Sequence, residues 1–149
     1  MTARPHPRPR RNQRGSAAIE AVVAGPAVVL MILLVVFGGR VALAHQTVQR
    51  VAADAARAAS LARTQTEARA AADTALRTGL DQHLTCTNPT LDLDLTGFGT
   101  PAGTPASVTA TLTCRVPTAD LGLPIPGQIA ITATMTSPID TYRERRGHP

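Results

Sequence analysis

The sequence predicts an α+β protein: a long N-terminal helix, transmembrane then amphipathic, followed by a small three-stranded antiparallel sheet. Three observations carry this expectation. Residues 21–39, AVVAGPAVVLMILLVVFGG, hold no charged side chain. Residues 42–78 are rich in Ala and contain neither Pro nor Gly. Between residues 91 and 135 lie three stretches in which apolar residues alternate with Thr or charged ones.

The apolar run comes first. A helix needs about 20 apolar residues to cross a hydrocarbon core of roughly 30 Å, and this run supplies nineteen before Arg40 closes it. A soluble core could hold so uniform a helix only by surrounding it. A chain of 149 residues with two Phe, one Tyr and no Trp has little with which to do so. Pro26 lies early in the run, removes one backbone donor and is expected to bend the helix.

Charge gives the orientation. The formal net charge of +5 is concentrated at the start, where Arg4, Arg8, Arg10, Arg11 and Arg14 precede the first acid, Glu20. Residues 16–149 are formally neutral, with ten Arg against ten acids. A basic leader just before a span keeps that end in the cytoplasm. Residues beyond Arg40 are then extracytoplasmic. A nucleic-acid binder would carry its basic residues on a folded face, with aromatic residues for stacking if it held single strands. The sequence shows neither pattern, so no nucleic-acid partner is expected.

Glu20 stands out. An acid inside a membrane helix costs roughly 2.5–3.5 kcal/mol at the bilayer centre on insertion scales, so its presence asks for a role. At the helix start it could instead sit at the interface and complement the helix dipole. Its spacing favours a role: Gly15-Ser16-Ala17-Ala18-Ile19-Glu20 places the acid five positions after a Gly, behind a basic leader and ahead of the span. From ordinary composition, that pair at one fixed offset arises by chance about 0.5% of the time.

The stretch RGSAAIEAVVAGP, residues 14–26, resembles the TadE-like family, minor pseudopilins of the tight-adherence (Tad, or Flp) pilus system. The resemblance covers roughly residues 14–45. It implies cleavage between Gly15 and Ser16 by a prepilin peptidase, leaving Ser16 as the mature N-terminus and Glu20 as its fifth residue. It also implies a pilin-like layout, with three kinds of protein partner besides the lipid bilayer: other pilin subunits along the N-terminal helix, the peptidase, and a membrane assembly platform. Physically, Glu20 would act as a register device. A new α-amino group and a carboxylate are each costly alone in low dielectric and tolerable when matched.

Two other readings of the N-terminal region stay open. One is an uncleaved single-pass anchor displaying a surface binding module. The other is a secreted protein cleaved after Ala44, since Ala42-Leu43-Ala44 fits an A-x-A site. The length of the apolar run and the charge on Arg40 speak against the second.

The chain then divides into a basic leader (1–15), a transmembrane helix (16–44), an extracytoplasmic helix (45–80), a small β module (81–140) and a charged tail (141–149). In the second helical segment Val48, Val51, Ala52, Ala55, Ala58, Ala59 and Ala62 form one stripe. Gln46, Gln49, Arg50, Asp54, Arg57 and Ser60 fall opposite. Thr64-Gln65-Thr66-Glu67 fits a capping box, where the helix either bends or restarts. Strands are expected at residues 91–96, 108–116 and 129–135, with loops at 97–105 and 117–127. Cys86 and Cys114 both lie on the outer side, where an oxidising compartment favours a disulfide over two free thiols or a metal pair. No phosphate loop, nucleophile elbow or metal-ligand spacing occurs, so the sequence points to neither an enzyme nor a cofactor.

Overall fold

The computed structural model describes residues 14–83, 85–123 and 125–142. Residues 1–13 of the leader and 143–149 of the charged tail lie outside the described residues. The element order is α1 (Arg14–Ser60), α2 (Gln65–His83), β1 (Thr87–Asp94), a short 3₁₀ helix (Thr96–Gly99), β2 (Ala106–Pro117) and β3 (Gln128–Ile139). The chain forms two compact units, Met1–Val36 and Phe37–Pro149.

In the second unit a three-stranded antiparallel sheet, ordered β1-β2-β3, takes one apolar face from each strand. Period-two alternation dictates which residues turn inward. On β2 these are Val108, Ala110, Leu112, Cys114 and Val116, all fully buried. Opposite them in register, Leu112 pairs with Leu91 on β1 and Ala133 on β3. The outward face is built from Thr. Hydroxyls of Thr109 and Thr136, Thr111 and Thr134, and Thr113 and Thr132 bond across β2 and β3 at 3.0–3.1 Å. Such cross-strand pairs hold the register where no core can. Both edge strands carry a Pro, Pro89 on β1 and Pro138 on β3, where a missing donor is tolerated.

Both helices cover the inner face. Leu112, Ile131 and Val116 pack with Val48, Val51 and Ala52 of α1 and with Leu76 and Leu80 of α2. Towards the other end, Phe98, Val108 and Ile139 meet Ala55, Ala56 and Ala59 of α1 and Ala68 and Ala72 of α2. The helices meet at Gly79, where a Cβ would stand 2.7 Å from Val51 Cγ2.

The second helix restarts rather than bends. Thr64 caps it, its Oγ1 accepting from the Glu67 amide at 3.2 Å. The return half of the capping box shifts by one residue, because Glu67 accepts from the amide of Arg63 and not of Thr64. Helix α2 runs on to His83, three residues past the expected end. The α1 stripe also differs from the expected one. Ala56 is buried and Ala58 only half-buried, and Ser60 belongs to the inner side, 5% exposed. The Ser60 hydroxyl lies 3.0 Å from that of Ser137 on β3, which satisfies a polar group the periodicity had placed in water.

The strands run longer than the alternation indicated, β1 from Thr87 and β3 to Ile139. Leu95, expected in the first strand, instead opens the 3₁₀ turn and is buried. Phe98, expected in a loop, is 2% exposed and fills the core. Asp94 starts this turn by accepting from the Thr96 amide at 3.0 Å and the Thr96 hydroxyl at 2.7 Å. These bonds, the amide first, hold the Asp94 carboxyl below its ordinary pKa. Their support is present above the unfolded carboxylate range and is lost as pH falls through the folded value.

Gly97 is required here, because a Cβ would collide with the backbone oxygen of Ser107. Backbone cannot yield as a side-chain tip does. Gly97→Ala is expected to destabilise the Phe37–Pro149 unit by about 2–4 kcal/mol, a clash of the overpacking kind at its upper end. A urea melt followed by far-ultraviolet circular dichroism would check it; Gly99→Ala, with open space around its Cβ, is the control.

Candidate functional site: the exposed apolar helix

Within the Met1–Val36 unit the described feature is the N-terminal part of α1. Every residue from 22 to 36 is exposed. Eleven large apolar side chains there, among them Val22, Leu30, Ile32, Leu33 and Leu34, are 47–74% exposed. No stripe separates an apolar from a polar face. A helix apolar all round is stable only when surrounded by lipid or by other apolar helices. Among the described helices this is the one long and apolar enough to cross a membrane, with a mean hydropathy of 2.6 in its most apolar window and none of that window buried.

The sequence explains why this stretch stays helical. Val and Leu dominate it, and in lipid the backbone has no partner but itself, so the helical ladder is obligatory. Helix α1 continues through Pro26. The donor that Pro26 lacks would have served the carbonyl of Val22. Gly25, Gly38 and Gly39 have open space where a Cβ would stand, leaving shallow places on the helix surface.

Gly15, Ser16 and Glu20 lie in the opening turns of α1; their side chains lie outside the described residues. The first four amides of a helix have no partner within it, so the Gly15–Ser16 bond sits where unwinding is least costly.

At the far end of the apolar run, the α1 residues Phe37, Val41 and Ala44 turn into the core of the second unit. Arg40 stays outside and donates from Nη1 to the carbonyl of Asp120 at 3.3 Å. Sequence reasoning marked Arg40 as the end of the span but gave no sign of this partner, eighty residues on.

Cys86 and Cys114 form a disulfide with Cα atoms 5.4 Å apart. It joins the segment between α2 and β1 to the central strand, where Cys114 is fully buried. Among the described residues no three His, Cys, Asp or Glu side chains converge as metal ligands would.

Comparison with known proteins agrees with this geometry. The family model described as TadE-like protein matches residues 15–57, which begin at Gly15 and end three residues short of the end of α1. No curated protein and no solved structure matches the chain. The match takes in Glu20, Pro26 and the whole apolar run, and leaves the sheet outside it. Over residues 15–57 the N-terminal helix of this chain is therefore similar to the TadE-like family.

Proposed function

We propose that the chain is a minor pseudopilin, a structural or assembly subunit of a Tad-type pilus or related secretion system. Its N-terminus faces the cytoplasm and the Phe37–Pro149 unit lies outside. A prepilin peptidase cuts between Gly15 and Ser16. The partners are other pilin subunits along α1 and the membrane assembly platform, and the bilayer holds the subunit before assembly. The observation that carries this reading is a helix apolar on all sides, led by an acid five residues after a Gly and matched by the TadE-like model.

The physical logic has two steps. In the bilayer, the exposed Val and Leu side chains of α1 are solvated by lipid. In an assembly, the same side chains pack against neighbouring helices, so one surface serves both states. Glu20 then fixes the axial register, because a carboxylate in apolar surroundings is tolerated only opposite a cation. The α-amino group freed at Ser16 provides one.

Alkaline carbonate extraction of host membranes, followed by protease treatment of intact cells, tests placement. The expected result is a chain that stays in the pellet while its Phe37–Pro149 unit remains open to external protease. A chain released by carbonate contradicts the anchor, and one protected until the cells are lysed contradicts the orientation.

A further inference from the structure

The connection between β2 and β3 has a construction that the assembly helix does not account for. The described residues between 118 and 127 are organised around the buried Thr118. Its hydroxyl donates to the carbonyl of Ile125, and its amide donates to the carbonyl of Gly127 at 3.1 Å. Its own carbonyl accepts from the amides of Leu121 and Leu123 at 3.1 and 3.0 Å. Leu121 is 2% exposed and fastens the loop to the core. Gly122 turns the chain at φ +89°, a conformation that L side chains rarely adopt. These bonds tie the described residues of the loop together, and apart from the exposed Asp120 the side chains they present outward are apolar. Ile125 is 55% exposed, Pro126 is exposed beside it, and Leu123 is half-exposed. Asp120 is the loop's one charged residue.

Its position gives this tip a meaning. Arg40, the first charge after the apolar run, bonds the Asp120 carbonyl and lies 3.7 Å from where a Cβ of Gly122 would be. Within the Phe37–Pro149 unit, the loop therefore stands beside the place where the apolar run ends. Arg at the end of a span reaches for the headgroup layer, with its stem along apolar surface and its guanidinium at phosphate. A fixed apolar tip next to such an Arg is at the same depth.

We propose that the β2–β3 loop is a second membrane contact: Leu123, Ile125 and Pro126 seat in the headgroup layer of the outer leaflet, with the Arg40 guanidinium facing lipid phosphate. This rests on reading the apolar run as a bilayer span. The loop restricts how the outer unit stands on the membrane before the subunit is drawn into an assembly.

The test uses the full-length chain in vesicles of phosphatidylcholine and phosphatidylglycerol. Both native cysteines are bonded to each other, so Ile125→Cys, Leu61→Cys and Leu33→Cys can each carry one environment-sensitive fluorophore. Position 33 reports the span, and position 61, exposed just past the C-terminal end of α1, reports water. The expected result is several-fold weaker iodide quenching at 125 than at 61, with strong quenching at 125 by a nitroxide placed near the lipid headgroup. Iodide quenching at 125 equal to that at 61, with position 33 still quenched by lipid nitroxide, overturns the loop contact and leaves the anchor standing. Loss of lipid quenching at position 33 overturns the anchor itself and the loop proposal with it. Protection at 125 that ignores the lipid nitroxide and fades as the protein is diluted in lipid identifies a second copy as the occupant, which also overturns the proposal.

Discussion

Replacing Glu20 by Ala is expected to abolish pilus assembly while leaving membrane insertion intact. The substitution removes the acid from the start of the apolar run and makes the run more apolar, so insertion has no reason to weaken. On the proposed role of Glu20, the same change would leave a cation in low dielectric without its partner. Breaking a buried pair by removing one member costs about 3–5 kcal/mol, which is roughly a hundredfold or more in each subunit contact. Pili counted by electron microscopy, together with the amount of chain in the membrane fraction, read the two effects separately. Normal pili from the Glu20→Ala strain would show that Glu20 is only an interfacial acid at a helix end. Loss of the chain from the membrane would show that its role lies in insertion.

The second large effect concerns the disulfide. Much of the core under the sheet is Ala, with Phe98 as its one buried aromatic side chain among the described residues. Such a core buries little area per residue and contributes correspondingly little stability. The Cys86–Cys114 bond closes a separation of 28 residues. On the chain-entropy model this is worth about 3–4 kcal/mol. For a unit of this size that is on the order of 15 °C in melting temperature. The double variant Cys86→Ala, Cys114→Ala, melted beside the oxidised chain in the same detergent, is expected to lose that much. Coincident melts would mean that the two helices and the sheet hold one another without the bond.

Much of this architecture can be read from the sequence because it rests on periodicity and local chemistry. The charge-free run, the Ala stripe and the alternating Thr strands each bury or expose residues by their own repeat. Thr64 announces the second helix because a hydroxyl at that position satisfies an amide three residues on. What stays hidden depends on residues distant in sequence. Ser60 reads as solvent-facing until β3 brings Ser137 to it. Phe98 reads as loop because the apolar alternation has already stopped. The grip of Arg40 on Asp120, and the approach of Val51 to Gly79, follow from how the helices meet the sheet and its loops. For the candidate site, the exposed apolar helix is legible, because a charge-free run of this length needs no distant residue to define it. The placing of the β2–β3 loop beside Arg40 is not, since an apolar Pro-Gly loop looks the same wherever it is placed.

Cleavage between Gly15 and Ser16 has a direct measurement. The chain should be purified from membranes of its native host and its first residue determined by intact mass and N-terminal peptide sequencing. A start at Ser16, with residues 1–15 gone, is the result this account predicts. A start at Met1 or Thr2 would contradict it in favour of an uncleaved anchor, and a start at His45 would contradict it in favour of a secreted protein.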